Sequence, residues 1–235
     1  MARRLAELAK TIDHTLLDRD ASEEAIARLC DEAREHHFAS VCVLPGAVAF
    51  AAECLRGCDV KVAGVVGYPH GEEDSRVKLD DAERCAADGS HELEFVLNSR
   101  AMLAGDFRLA RDELAAVVHA VGMRSVNSGR GHTLIKVVLD CEGLGSKRTQ
   151  LACSIAEGVG VDFVSTSTGV ASDAATLSAV ELLREHLSDR IAVKASGSVS
   201  RAGDVDELIA AGAGRVGTTH AIDVMGSGET RVVTA

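Results

Sequence analysis

The run TLIKVVLD, Thr133 to Asp140, decides the fold. A strand with one wet face alternates apolar and polar residues. This run is apolar and β-branched almost throughout, as expected of a parallel strand covered on both faces. Six further runs of this kind flank it: SVCVLP (Ser40 to Pro45), KVAGVVG (Lys61 to Gly67), LEFVLN (Leu93 to Asn98), DFVSTST (Asp162 to Thr168), IAVKASG (Ile191 to Gly197) and RVGTT (Arg215 to Thr219). A short strand near Ile12 makes eight. Helical patterns lie between them. Asp20 and Glu23 have the spacing of a capping box for a helix reaching His37. Ser172 or Asp173 is placed to cap a helix with Leu177, Val180 and Leu187 on one face. Ser200 precedes a helix that Gly212 stops. The loop Gly122 to Gly131 is read as the one irregular insertion. Alternating strands and helices give a parallel sheet. Eight repeats favour an α/β fold closed as a (β/α)₈ TIM barrel, with an open doubly wound sheet as the runner-up.

Composition agrees. The 235 residues suit a single barrel domain spanning 1–235, since such barrels run to about 250 residues. Apolar residues make up 46% and aromatics only 3%, so Val, Ile, Leu and Ala must build the core. The net charge of −11, with no basic run, speaks against nucleic acid or an anionic membrane surface as partner. The N-terminus has no continuous apolar segment of signal-peptide type, and no stretch approaches the roughly 18 residues of a membrane span. Seven cysteines, an odd number without a CxxC pair, read as reduced thiols in a cytoplasmic protein. The histidines show no metal-ligand spacing, so neither metal nor cofactor is expected. A homodimer is compatible with the sequence, which does not specify the assembly.

In a barrel, chemistry belongs to the C-terminal strand ends. There this sequence turns polar, at Asn98, Asp140, residues 165–168, Lys194 and Thr218. Lys136 and Lys194 lie within apolar strands, where a lysine is seldom placed without a reason. Close together, they would depress each other's pKa. The plainer reading makes them structural ion-pair partners of Glu94 or Asp140. One of Glu92 and Glu94 is expected to face the barrel interior. Asp13 is either a site carboxylate or a cap beside His14. Cys141, just after a strand, has no evident His partner for a nucleophile's role.

The segment Ile12-Asp13-His14-Thr15-Leu16-Leu17 resembles the opening motif of deoxyribose-phosphate aldolases. The resemblance continues in order through Val41 to Pro45, Val65 to Gly71, Leu134 to Asp140, Thr166-Ser167-Thr168-Gly169 and Lys194, over nearly the whole chain. It implies a lyase and a catalytic set of Asp13, Glu94, Lys136 and Lys194. It also implies a substrate site including Cys42, Ser165, Thr168, Gly169, Gly197, Ser198, Gly217 and Thr219. Cys42 is read as packing rather than as a nucleophile. Three departures stand out. The family's Schiff-base lysine, just before Thr-Ser-Thr-Gly, is here Ser165, which cannot form an imine. The fourth-strand aspartate is Glu94. The lysine after the glycine of that motif is Val170, so the phosphate site loses a cation.

The expected function is chemistry next to the carbonyl of a small substrate, as in an aldolase, but not through residue 165 and not on deoxyribose 5-phosphate. Three readings stay open. A relocated imine on Lys194 or Lys136 would make or break a C–C bond. Imine-free acid–base catalysis by Glu94, Asp13 and the lysines would serve an isomerase, cyclase, dehydratase or lysine-independent aldol step in biosynthesis. A pseudoenzyme would only bind. Retention of two costly lysines and a carboxylate argues against the last.

Overall fold

The computed structural model describes residues 2–128, 131–170 and 176–229. Eight strands are β1 (Ile12–Leu16), β2 (Ser40–Val43), β3 (Lys61–Val66), β4 (Glu92–Val96), β5 (Leu134–Val138), β6 (Phe163–Ser165), β7 (Ala192–Ser196) and β8 (Ala213–Thr218). Each pairs in parallel with the next, and β8 returns to β1, so the sheet closes. This excludes the open doubly wound sheet. Closure removes the free edges and gives every strand an inward and an outward face.

Ten helices accompany the strands among the described residues: α1 (Ala2–Ala9), α2 (Glu23–His36), α3 (Val48–Cys54), α4 (Ser75–Asp88), α5 (Ser99–Ala104), α6 (Phe107–Ser128), α7 (Cys141–Val159), α8 (Leu177–His186), α9 (Ala202–Ala210) and α10 (Ala221–Glu229). The main core lies between helices and outward strand faces. In α2, Ile26, Leu29, Cys30 and Ala33 recur at helical spacing and are buried.

Several local expectations change. Ser22, not Asp20, caps α2 by accepting from the Ala25 N–H. The capping box fails because the helix starts at Glu23 itself. Thr176 caps α8, while Ser172 and Asp173 lie outside the described residues. The helix after Ser200 forms as expected, as α9 with Arg201 at its N-cap, and ends just before Gly212. The expected loop from Gly122 is helical through Ser128, as the end of α6. One glycine in a long helix costs only about 1 kcal/mol against alanine, which tertiary packing overrides. Asp140 caps α7, accepting from the Gly143 N–H at 3.1 Å, and so is no partner for the lysines.

Candidate active site

Residues two apart on a strand share a face. Glu92 and Glu94 therefore both turn inward, whereas the sequence reading assigned only one to the interior. They join Asp13 from β1, Lys136 from β5, Lys194 from β7 and Arg215 from β8 in one buried cluster of three carboxylates and three cations. Lys136 Nζ lies 2.7 Å from Asp13 Oδ2, 2.6 Å from Glu92 Oε2 and 3.2 Å from Glu94 Oε1. Lys194 Nζ donates to Glu94 Oε1 and lies 3.1 Å from Asp13 Oδ2. Arg215 forks between Asp13 Oδ1 at 2.7 Å and Glu92 Oε1 at 2.5 Å. Ser40 Oγ donates to Asp13 Oδ1 at 2.7 Å. Gly217 makes room for this chemistry, since a Cβ there would stand 2.7 Å from Lys194 Cε.

Burial alone would neutralise these groups, but the opposite charges win. Desolvation raises Asp13, yet Lys136, Lys194 and Arg215 together hold its carboxyl far below the usual range. Glu94 is likewise raised by burial and lowered further by Lys194 and Lys136. Both lysines end above their ordinary values. Burial lowers each, while the carboxylates, Glu94 foremost for Lys194 and Asp13 for Lys136, outweigh it. Lys194 still lowers Lys136, as expected of neighbouring lysines, but the surrounding carboxylates outweigh that repulsion. A protonated amine is not a nucleophile.

A cleft of about 700 Å³, open to solvent, lies at the C-terminal strand ends. Glu94 and Lys194 line it. Asp13 and Lys136 are fully buried and are not among its lining residues. One wall is apolar, with Leu17, Cys42, Val65, Val96 and Val138 beside Tyr68. The other carries Ser167, Thr168, Gly169, Ser196, Gly197, Ser198, Thr218 and Thr219. Cys42, Thr168, Gly169, Gly197, Ser198, Gly217 and Thr219 therefore reach the cleft as the sequence reading expected. Ser165 is not among the lining residues. It is fully buried, with its Oγ 2.9 Å from Ser196 Oγ. Both glycine N–H groups that a phosphate would use after the sixth and seventh strands are engaged. Gly197 N–H donates to the Gly217 carbonyl at 3.2 Å, and Gly169 N–H to Ser167 Oγ at 2.7 Å. Burial, reinforced by Glu94, keeps the Cys42 thiol protonated against the pull of Lys194 and Lys136. Burial pushes the Cys141 thiol up to about 12. Neither is an activated nucleophile. Among the described residues, no three His, Cys, Asp or Glu side chains are grouped to hold a metal, and no helix is long and apolar enough to cross a membrane.

Sequence reasoning missed Arg215 and the inward role of Glu92. The usable signal was the one that picked out Lys136, a charge set into an apolar parallel strand. Removing one member of a buried ion network leaves its partners uncompensated, at a cost of about 3–5 kcal/mol. Arg215→Met is therefore expected to lower unfolding stability by that amount in urea titration. A loss under about 1 kcal/mol would mean that Asp13 and Glu92 do not depend on it.

Comparison with known proteins places this geometry. Residues 8–217 match the family model described as DeoC/LacD family aldolase. A deoxyribose-phosphate aldolase of Streptococcus pneumoniae is 39% identical over 219 residues, covering 93% of this chain and 96% of that protein. One from Treponema denticola is 36% identical over 219 residues, with 93% and 98% covered. The tetrameric deoxyribose-phosphate aldolase of Aeropyrum pernix superposes with a TM-score of 0.86 at 28% identity, covering 97% of this chain and 93% of that one. A closed parallel barrel with a buried lysine–carboxylate cluster beneath its cleft, together with these matches, makes the chain a member of the DeoC/LacD aldolase family, a family of carbon–carbon lyases.

Proposed function

We propose that this protein makes or breaks a C–C bond next to the carbonyl of a small substrate without a covalent imine. The carrying observation is that, among the described residues, the charged groups lining the cleft are Glu94 and Lys194, paired with each other, and that residue 165 has no amine. In the cleavage direction Glu94 accepts the proton of the β-hydroxyl. The C–C bond breaks to release an aldehyde, and its electron pair becomes an enolate whose oxygen the Lys194 ammonium stabilises. Glu94 then returns the same proton to the enolate carbon, so nothing is consumed. Asp13, Lys136, Glu92 and Arg215 hold this pair in place from below. A binding-only role would give no reason to keep so costly a cluster at the floor of an open cleft. Seven free thiols suit a reducing, cytoplasmic setting.

The test is borohydride reduction during turnover of a panel of β-hydroxy aldehydes, followed by peptide mass spectrometry. Activity should survive and no peptide should gain mass. Inactivation with an adduct on Lys194 or Lys136 would replace this mechanism by a relocated imine.

The substrate is expected to lack a phosphate. Val170 offers no cation, Gly169 and Gly197 have already spent their N–H groups, and anions want both. One missing charge-assisted contact costs about 1.5–3 kcal/mol, tenfold or more in affinity. Calorimetry with deoxyribose 5-phosphate should register weak binding or none. A micromolar Kd would overturn this part of the reading.

A further inference from the structure

Lys78 sits on α4, outside the barrel, and is only 1% exposed. Nothing in the chemistry above uses it. Its Nζ donates to the Gly71 carbonyl and to Glu113 Oε2 of α6, each at 2.6 Å, and stands 5.0 Å from the centre of the Phe95 ring. Ser75 Oγ donates to the other Glu113 oxygen at 2.6 Å. A buried ion pair joins two helices no better than well-packed apolar side chains would. What the ammonium adds is its hold on the Gly71 carbonyl.

Gly71 closes a tight turn that begins at Gly67. Its N–H donates to the Gly67 carbonyl at 2.6 Å, and its φ of +69° favours glycine. A Cβ at Gly71 would lie 2.5 Å from the Val96 carbonyl oxygen, so the turn is pressed against the end of β4. Within the turn, Arg19 donates to the Tyr68 carbonyl at 3.2 Å, and the Ser99 N–H donates to His70 O at 3.1 Å. Tyr68 is the protein's one tyrosine, and its side chain lines the cleft on the apolar wall. The other hydroxyl on that side, Thr15 Oγ1, is already donated to the Asp13 carbonyl at 3.0 Å. Among the described residues the phenol thus provides an uncommitted hydrogen-bonding group opposite the Ser-Thr wall.

We propose that Lys78 is a positioning residue: by gripping Gly71 it sets the Gly67–Gly71 turn so that the Tyr68 ring and hydroxyl complete the apolar wall of the substrate cleft. This rests on the reading of the cleft as the substrate site, but its test observes Tyr68 directly and needs no turnover. With one Tyr and no Trp in the chain, tyrosine emission and phenol absorbance report on Tyr68 alone. Burial, aided by Cys42, keeps the phenol above its ordinary value of 10.0.

Lys78→Met leaves Glu113 buried without its partner, so Lys78→Met/Glu113→Gln is made beside it to remove both charges. In the folded double variant, with the circular dichroism of the parent, acrylamide quenching of Tyr68 should rise severalfold. Its titration should also fall back toward 10.0. A folded double variant with the parent's quenching and titration overturns the proposal, even if its melting temperature drops, because the pair would then serve stability alone. Should the cleft not be the substrate site, substrate aldehydes would leave the Tyr68 signal unchanged while its dependence on Lys78 persisted. The two failures are therefore separable.

Discussion

Ser165→Lys is expected to turn a protein that traps no aldehyde into one that forms a stoichiometric imine with acetaldehyde at residue 165. Ser165 ends β6, in register with Val138 of β5 and Lys194 of β7. A lysine there would replace the Ser165–Ser196 contact and extend from the strand end beside the existing cluster. That cluster already balances three cations with three carboxylates, so a fourth ammonium would have no anion of its own. Burial and the neighbouring like charges would then both lower its pKa and leave free amine at neutral pH. Lys194 behaves oppositely, because Glu94 and Asp13 hold its proton. Acetaldehyde carries no phosphate, so the altered anion site does not enter the test. Borohydride reduction and peptide mass spectrometry locate the adduct. A variant that keeps the parent's circular dichroism yet traps nothing would confine the aldolase likeness to the scaffold.

Glu94→Gln should lower kcat by about 10²–10⁴, the usual contribution of a placed proton-transfer group. The amide keeps the shape and can still accept from Lys194, but it cannot carry a proton between substrate oxygen and carbon. Glu94→Asp, which retains the carboxylate, should recover part of the rate. The pH dependence carries a definite sign. Glu94 and Asp13 are depressed in the folded protein, so their stabilisation is complete above the unfolded values of 4.5 and 3.8 and fades as pH falls toward the folded ones. Lys136 and Lys194 are raised, so theirs is complete below 10.5 and fades only at higher pH. Steady-state rates on the true substrate, measured within that plateau, isolate the chemical effect. A Gln variant with unchanged kcat would remove Glu94 from the mechanism.

The barrel was legible in the chain because its strands are buried on both faces and its helices on one, and each condition writes its own period into local sequence. TLIKVVLD and its counterparts gave the strand count, and each strand formed within a few residues of its run. The polar strand ends and the two lysines were legible as well, since a charge inside an apolar strand is costly and persists only where a buried partner or a site holds it. Local sequence also indicates, at Ser165, that no amine stands at that strand end. Tertiary structure decided the rest. Closure of β8 onto β1 brought Arg215 beside Asp13, 202 residues away in sequence, while barrel formation set Asp13, Glu92 and Glu94 around Lys136, and Glu94 and Asp13 beside Lys194, and these carboxylates reversed the expected direction of both lysine shifts. Charge balance within a buried cluster depends on every strand that points into it, and no window of sequence contains them all. The same holds for which residues reach solvent. Lys136 and Lys194 look alike in the sequence, but depth in the barrel seals the first beneath the second and leaves Lys194 with Glu94 at the cleft.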